Sequence, residues 1–225
     1  MRSIGFKNFR KFKEFPPIAL SPITILVGEN NAGKSTLVKG ILAVSDFLKA
    51  RERFIEVFAS IDERRDNNEN SRKRRIKAFL NDQKFYFNVS YLAHIGTFKR
   101  ALYNKADEGL ISFRVCLKNN MDVEIDITGD KNDDEAVSGK VTKIIVKYIN
   151  YNITIIFNLP EDVATLIFSP IDDTGAALLG INNRREKERL QAYYDACKES
   201  VSISMTLSDY MRRLSPDLIG TYVCI

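Results

Sequence analysis

A chain of 225 residues, 44% of them hydrophobic, is long enough to bury about 70 to 75% of its unfolded surface, so it needs neither a disulfide framework nor a structural metal for stability. Its three cysteines, Cys116, Cys197 and Cys224, are odd in number, far apart and without metal-ligand spacing, which excludes a disulfide scaffold and points to free thiols in a reducing cytoplasm. A formal net charge of +5 and a pI near 9.0 permit nucleic-acid binding without demanding it, while the absence of a long apolar run or of an apolar leader after Met1-Arg2-Ser3-Ile4 argues against a membrane role.

The first stretch, Ser3 to Phe12, alternates in part and is rich in phenylalanine (Phe6, Phe9, Phe12, Phe15). Pro16-Pro17 interrupts it and Ile18-Ala19-Leu20 resumes. This predicts two strands of a hairpin-like start. Ile23-Thr24-Ile25-Leu26-Val27, bounded by Pro22 and Gly28, is short, apolar and β-rich, and predicts a buried central strand.

Directly after it comes Gly28-Glu29-Asn30-Asn31-Ala32-Gly33-Lys34-Ser35, then Thr36, which fits the phosphate-binding pattern of two spaced glycines, a lysine and a hydroxyl. Gly28 and Gly33 let the backbone curl close to a polyphosphate, because glycine tolerates positive φ and has no Cβ in the way. The curled main chain aims N–H groups into one concavity, at the positive end of the helix that follows. In this pattern Lys34 reaches the β- and γ-phosphates, Ser35 offers a hard oxygen to Mg²⁺, and Thr36 adds a contact to the α-phosphate. Leu37, Ile41, Val44 and Leu48 then recur at helical spacing and the face resumes at Ile55 and Phe58. The pattern predicts a helix from Lys34 to about Ser60, roughly 40 Å long at 1.5 Å per residue. Gly40 within it costs up to about 1 kcal/mol relative to alanine.

Two elements together, Phe6-Lys7-Asn8-Phe9-Arg10-Lys11-Phe12 and the Gly-Glu-Asn-Asn-Ala-Gly-Lys-Ser-Thr run, resemble the N-terminal lobe of ABC-type ATPase heads of the SMC/RecF group. Within that group the chain is most similar to small AAA-type ATPases allied to the OLD family. The resemblance covers roughly the first 160 residues. It implies ATP and Mg²⁺ as cofactors and an ATP-driven switch in DNA repair or anti-phage defence, acting through a homodimer or an effector protein. It also implies that Arg10 lies beside the ribose or phosphates of the nucleotide, against the alternative of a solvated strand residue.

Downstream, Arg64, Arg65, Arg72, Lys73, Arg74, Arg75 and Lys77 sit among acids and asparagines. Residues 61–83 read as a polar linker followed by a basic helix or arm, either a phosphate-backbone contact for DNA or RNA or a solvated surface insertion. From Lys84 the period changes to two: Phe85, Phe87, Val89 and Tyr91; then Ile111 to Leu117, Met121 to Ile127, Ile144 to Tyr148 and Ile153 to Leu159. These predict an antiparallel meander with turns at Asn119-Asn120 and Asn150-Tyr151-Asn152. Asp122, Glu124 and Asp126 share the opposite face of one strand, where cross-strand pairing with residues such as Arg114 and Lys118 is favoured over a metal site. His94, the single histidine, has no nucleophile or carboxylate pattern near it and receives no role. After Pro160 the patterns weaken. Val163 to Phe168 is an apolar run, 183–200 and 207–214 read as amphipathic helices, and the chain closes on an apolar, strand-like stretch to Ile225.

The expected fold class is therefore α/β (α+β): a P-loop NTPase core lobe over residues 1–160 with an antiparallel β-subdomain, then a helical, C-terminally truncated segment over 161–225. Hydrolysis in this class needs an apolar strand ending in Asp-Glu, a signature loop supplied in trans and a histidine switch. The sequence shows none, since Pro170 bars Phe168 to Asp173 from a central strand. No catalytic residue is assigned, and ATP binding without turnover is expected of this chain. A non-hydrolysing interaction or nucleic-acid-binding module is the alternative. A phosphotransferase is disfavoured by the antiparallel strands.

Overall fold

The phenylalanine-rich start folds as the spacing predicts. In the computed structural model, which describes residues 1–62, 84–88, 94–117, 121–148, 151–158, 163–169, 188 and 201–206, β1 (Ser3–Phe9) pairs antiparallel with β2 (Phe12–Ala19). The Phe9–Phe12 pair closes the turn at Arg10-Lys11. Pro16-Pro17 does not end β2. The register shifts between Ile4 and Phe6 to accommodate it, and β2 lies at the edge of the sheet, where a missing N–H leaves no ladder bond unmade.

The helix α1 (Lys34–Asp62) follows the glycine loop, two residues beyond its expected end. Next come β3 (Lys84–Tyr86), a single helical turn α2 (Phe98–Ala101), β4 (Leu110–Cys116), β5 (Met121–Thr128), β6 (Ser138–Tyr148), β7 (Tyr151–Asn158), β8 (Val163–Ser169) and β9 (Val201–Thr206). The sheet order is β2-β1-β4-β5-β6-β7-β8-β9, with β3 pairing the start of β6. Every described pair is antiparallel, which gives the mixed α/β architecture with an antiparallel sheet that the patterns imply.

Alternation decides which face is covered. Ile111, Phe113, Val115 and Leu117 are buried, as are Met121, Val123, Ile125 and Ile127 on β5. The sheet packs on α1 through Leu37, Ala43, Val44 and Phe47, with Ile41 and Leu48 partly buried. Aromatic rings hold the centre. Phe113 stacks on Phe85 (5.3 Å between ring centres) and meets Phe9 edge-on (5.0 Å), while Phe6 stacks on Phe15 (4.8 Å). Such pairs contribute about 0.5 to 1.5 kcal/mol beyond their buried area. On the open face Arg114 Nε bonds Glu124 Oε2 (3.2 Å), its partner in register, and Ser112 Oγ donates to Asp126 Oδ1 (2.6 Å). Cross-strand pairing is thus what occupies two of the three carboxylates.

Two expectations require correction. Ile23 to Val27 is not a buried strand: it forms no ladder with any described strand, and Ile23, Ile25 and Val27 are 83%, 79% and 87% exposed. Only Leu26 reaches the core. A central strand is buried by neighbours on both edges and cover on both faces, and here the backbone just before it is tied locally, Ser21 and Thr24 bonding to each other. Second, the segment after residue 160 is not wholly helical, because β8 and β9 continue the meander antiparallel across that boundary. The helices expected over 183–200 and 207–214 lie outside the described residues, apart from Glu188, whose backbone is helical. The basic stretch from Arg64 to Lys77 also lies outside them.

Candidate functional site

Three short segments converge at one end of the sheet. The first is the turn between β1 and β2. Arg10 holds φ +54° and so does Asn8, a backbone region that a bulky non-glycine residue rarely adopts. Hydrogen bonds fix it there: Arg10 N–H donates to Ala101 O (2.6 Å) and Tyr103 N–H donates to Asn8 O (2.9 Å).

The second segment is the glycine loop. Gly28, Asn31 and Gly33 all have positive φ (152°, 68° and 103°), so the chain curls as the two glycines require. Gly33 is needed for space as well, since a Cβ there would run into the Phe12 ring. Thr36 N–H and Leu37 N–H both donate to Gly33 O (2.9 and 3.1 Å), which starts α1. Lys34 folds back, its ammonium donating to Gly28 O (2.6 Å) and Glu29 O (2.7 Å). Lys11 Nζ reaches across from the hairpin turn to Asn31 Oδ1 (3.1 Å).

The third segment is α2 and the residues after it. Thr97 caps the helix by accepting from Arg100 N–H. Phe98, Ala101 and Leu102 are buried, and Phe98 N–H is bonded to Ala136 O (2.7 Å). Because positions three and four apart share a helix face, anchoring Phe98, Ala101 and Leu102 leaves Lys99 and Arg100 on the outer side. Lys99 pairs with Asp134 (2.9 Å).

Between these segments lies a cleft of about 650 Å³, within the size range of small-molecule sites. It brings together Arg10 and Asn30, Asn31, Ala32, Gly33, Lys34, Ser35 and Thr36. Gly28 and Glu29 support the loop from behind, through the carbonyls that hold Lys34. Thr36 lines the cleft but is 5% exposed, so little of its hydroxyl is open to a ligand. Lys11, Lys99, Arg100, Leu102, Tyr103 and Asn104 complete the wall. Of these only Lys11 had a signal, its place beside Arg10. The segment from Lys99 to Asn104 reaches the cleft through the Phe9–Leu102 bridge and the two backbone bonds above, which no local pattern announces.

The electrostatics have one sign. Arg10, Lys11, Lys34, Lys99 and Arg100 line the cleft, and among the described residues no aspartate or glutamate does. Nearby, burial and the charge of Arg10 hold the Lys39 ammonium below the ordinary lysine range, and that ammonium donates to His94 O (2.6 Å). Among the described residues no group of histidine, cysteine, aspartate or glutamate has the arrangement to hold a metal ion. Ser35, exposed in the first turn of α1, supplies one hard oxygen in the cleft. No described helix is long and apolar enough to cross a membrane.

No curated protein and no solved structure matches the chain. A family model described as an AAA ATPase domain matches residues 1–206, nearly the whole chain and all three segments of the cleft. The chain belongs to the AAA ATPase domain family.

Proposed function

We propose that this cleft binds ATP with Mg²⁺, the triphosphate lying on Gly28 to Thr36 and Arg10 contacting its ribose or phosphate side. The observation that carries the reading is the cationic wall: five cationic side chains line the cleft, with no carboxylate among its described lining residues, beside a loop of positive-φ glycines at a helix start. Four negative charges on a nucleoside triphosphate would meet five cations converging on one cleft, which raises the local concentration of the anion. Lys34 would exchange the carbonyls of Gly28 and Glu29 for phosphate oxygens, and the exposed N–H groups of the loop would take the rest. Ser35 alone cannot hold Mg²⁺, but one protein oxygen together with phosphate oxygens and waters is the usual way this ion is bound. When present the ion neutralises phosphate charge.

The described lining offers groups for holding the triphosphate; hydrolysis is the activity that the AAA ATPase family membership suggests. The Asn8-Phe9-Arg10 turn beside the loop and the antiparallel sheet favour the N-terminal lobe of an ABC-type head of the SMC/RecF group. Its action would be that of an ATP-driven switch, completed by a second copy or an effector. Isothermal titration with ATP·Mg²⁺ tests the core of this. The parent chain is expected to bind, and Lys34→Ala to lose about 1.5 to 3 kcal/mol, the contribution of a charge-assisted bond. Equal binding by parent and variant would overturn the assignment of the triphosphate to this loop.

A further inference from the structure

The side of the cleft opposite the glycine loop carries, besides the cationic Lys99 and Arg100, an apolar, an aromatic and an amide side chain in Leu102, Tyr103 and Asn104. Arg10 sits in the middle, its turn bonded through Lys11 to Asn31 on one flank and through Asn8 O to Tyr103 N–H on the other. A nucleotide whose triphosphate occupies the first flank extends its base away from it, over Arg10 and toward the second. There the lining is Leu102, Tyr103 and Asn104. Leu102 is buried, Tyr103 half-buried and Asn104 exposed, so a half-buried tyrosine stands beside an exposed amide.

We infer that Tyr103 and Asn104 form the base subsite, Tyr103 supplying an aromatic platform and Asn104 a selective edge for adenine. This rests on the triphosphate reading above and goes beyond it by naming which residues select the base. A tyrosine offers large contact area with few torsions to freeze. Its position is over-determined: its N–H is spent on Asn8 O, its O accepts from Ala106 N–H (2.9 Å), and the bridge between Leu102 and Phe9 fixes the residue before it. The Asn104 amide carries one acceptor and two donors on adjacent atoms. That matches the neighbouring donor and acceptor of adenine (N6–H beside a ring nitrogen), whereas the corresponding guanine edge presents two acceptors, O6 and N7. On that edge, guanine would leave the amide carbonyl unpaired.

Titration calorimetry of the full chain with ATP, GTP and inorganic tripolyphosphate, each with Mg²⁺, tests this on the parent, Tyr103→Ala, Tyr103→Phe and Asn104→Ala. Stacking on an aromatic side chain predicts that Tyr103→Ala weakens ATP about ten-fold or more, leaves tripolyphosphate unchanged, and that Tyr103→Phe restores ATP. Asn104→Ala is expected to narrow the preference for ATP over GTP while sparing tripolyphosphate. Parent binding of tripolyphosphate as tight as that of ATP, or equal losses of ATP and tripolyphosphate in Tyr103→Ala, would overturn the base subsite and leave the triphosphate reading standing. A parent that binds none of the three overturns the triphosphate reading, and the subsite with it. Circular dichroism of each variant separates lost binding from lost fold, and Asn104, being exposed, provides a variant whose fold is not at risk.

Discussion

Phe113 on β4 and Ile25 beside the glycine loop both belong to short β-rich apolar runs, yet Phe113 is fully buried and Ile25 is 79% exposed. The difference lies in the neighbours rather than in the residues. β4 has β1 on one edge and β5 on the other, so its backbone bonds are made and its inward face meets Phe9 and Phe85. Ile23 to Val27 has no ladder partner among the described strands, and three alternate side chains stand in solvent while Leu26 alone packs. Alternation therefore tells which side chains share a face. Burial follows only when another element covers that face, and hydrogen bonding along the edges decides whether the run becomes a strand at all.

The sharpest way to break this comparison is to truncate both sides of it. Phe113→Ala is expected to cost about 3 to 5 kcal/mol, as deletion of a large core ring does, whereas Ile25→Ala should stay within about 0.5 kcal/mol, as at other exposed sites. Urea unfolding of the two variants measures both, and similar costs would show that the 23–27 segment is covered in solution.

Two glycines sharpen the comparison at the next level. Gly33→Ala places a Cβ into the Phe12 ring at φ +103°, and strain of this kind costs about 1 to 3 kcal/mol. Loop curvature and nucleotide binding should be lost together. Gly40 lies on the covered side of α1, where an added Cβ would meet Phe9, Phe6 and Phe113 at 3.4 to 3.7 Å, ordinary contact distances. Gly40→Ala should therefore raise the thermal midpoint by virtue of helix propensity worth up to about 1 kcal/mol.

Arg10 asks whether the strained turn serves binding or folding. Its φ of +54° suits glycine, so Arg10→Gly is expected to change stability by less than about 1 kcal/mol, relieved strain offsetting the entropy of glycine. The same variant should weaken ATP about ten-fold, the cost of one charge-assisted contact. A large loss of stability with unaltered binding would return Arg10 to a structural role.

The smallest effect concerns Cys116. Burial, and then the neighbouring Asp122, push its thiol above the ordinary cysteine value of about 9.0. The folded state thus keeps a proton that the unfolded chain has released, so stability falls as pH rises from about 9.0 toward the folded value. Below that window the group contributes no pH dependence. Residue-resolved alkylation at pH 9 should find Cys116 slow in the parent and faster in Asp122→Asn; equal rates would show that Asp122 has no hold on the thiol.

Much of the fold is legible in the sequence wherever local signals and pairing agree. The β1–β2 hairpin, α1 and the β4–β7 meander follow from periods of two and 3.6 that a neighbouring element then satisfies. The glycine loop is legible because each residue type has a local backbone reason, from Gly33 at positive φ to the helix start at Lys34. What was not legible depends on distant contacts. Tyr103 and Asn104 enter the cleft only because Asn8, Phe9 and Arg10 bond to the segment around Leu102. Ile23 to Val27 makes no ladder with any described strand and its alternate side chains stay exposed, while β8 gains its identity from the edge of β7 and β9 from that of β8.

The central claim, that the cationic cleft takes a nucleoside triphosphate, is tested most directly by thermal unfolding with and without ATP·Mg²⁺, beside Lys34→Ala. At ligand one hundred times Kd, binding to the native state adds about 2.7 kcal/mol, which at this size raises Tm by roughly 5 to 11 °C. The account predicts that shift in the parent and its loss in Lys34→Ala; no shift in the parent, or an equal one in the variant, would contradict it.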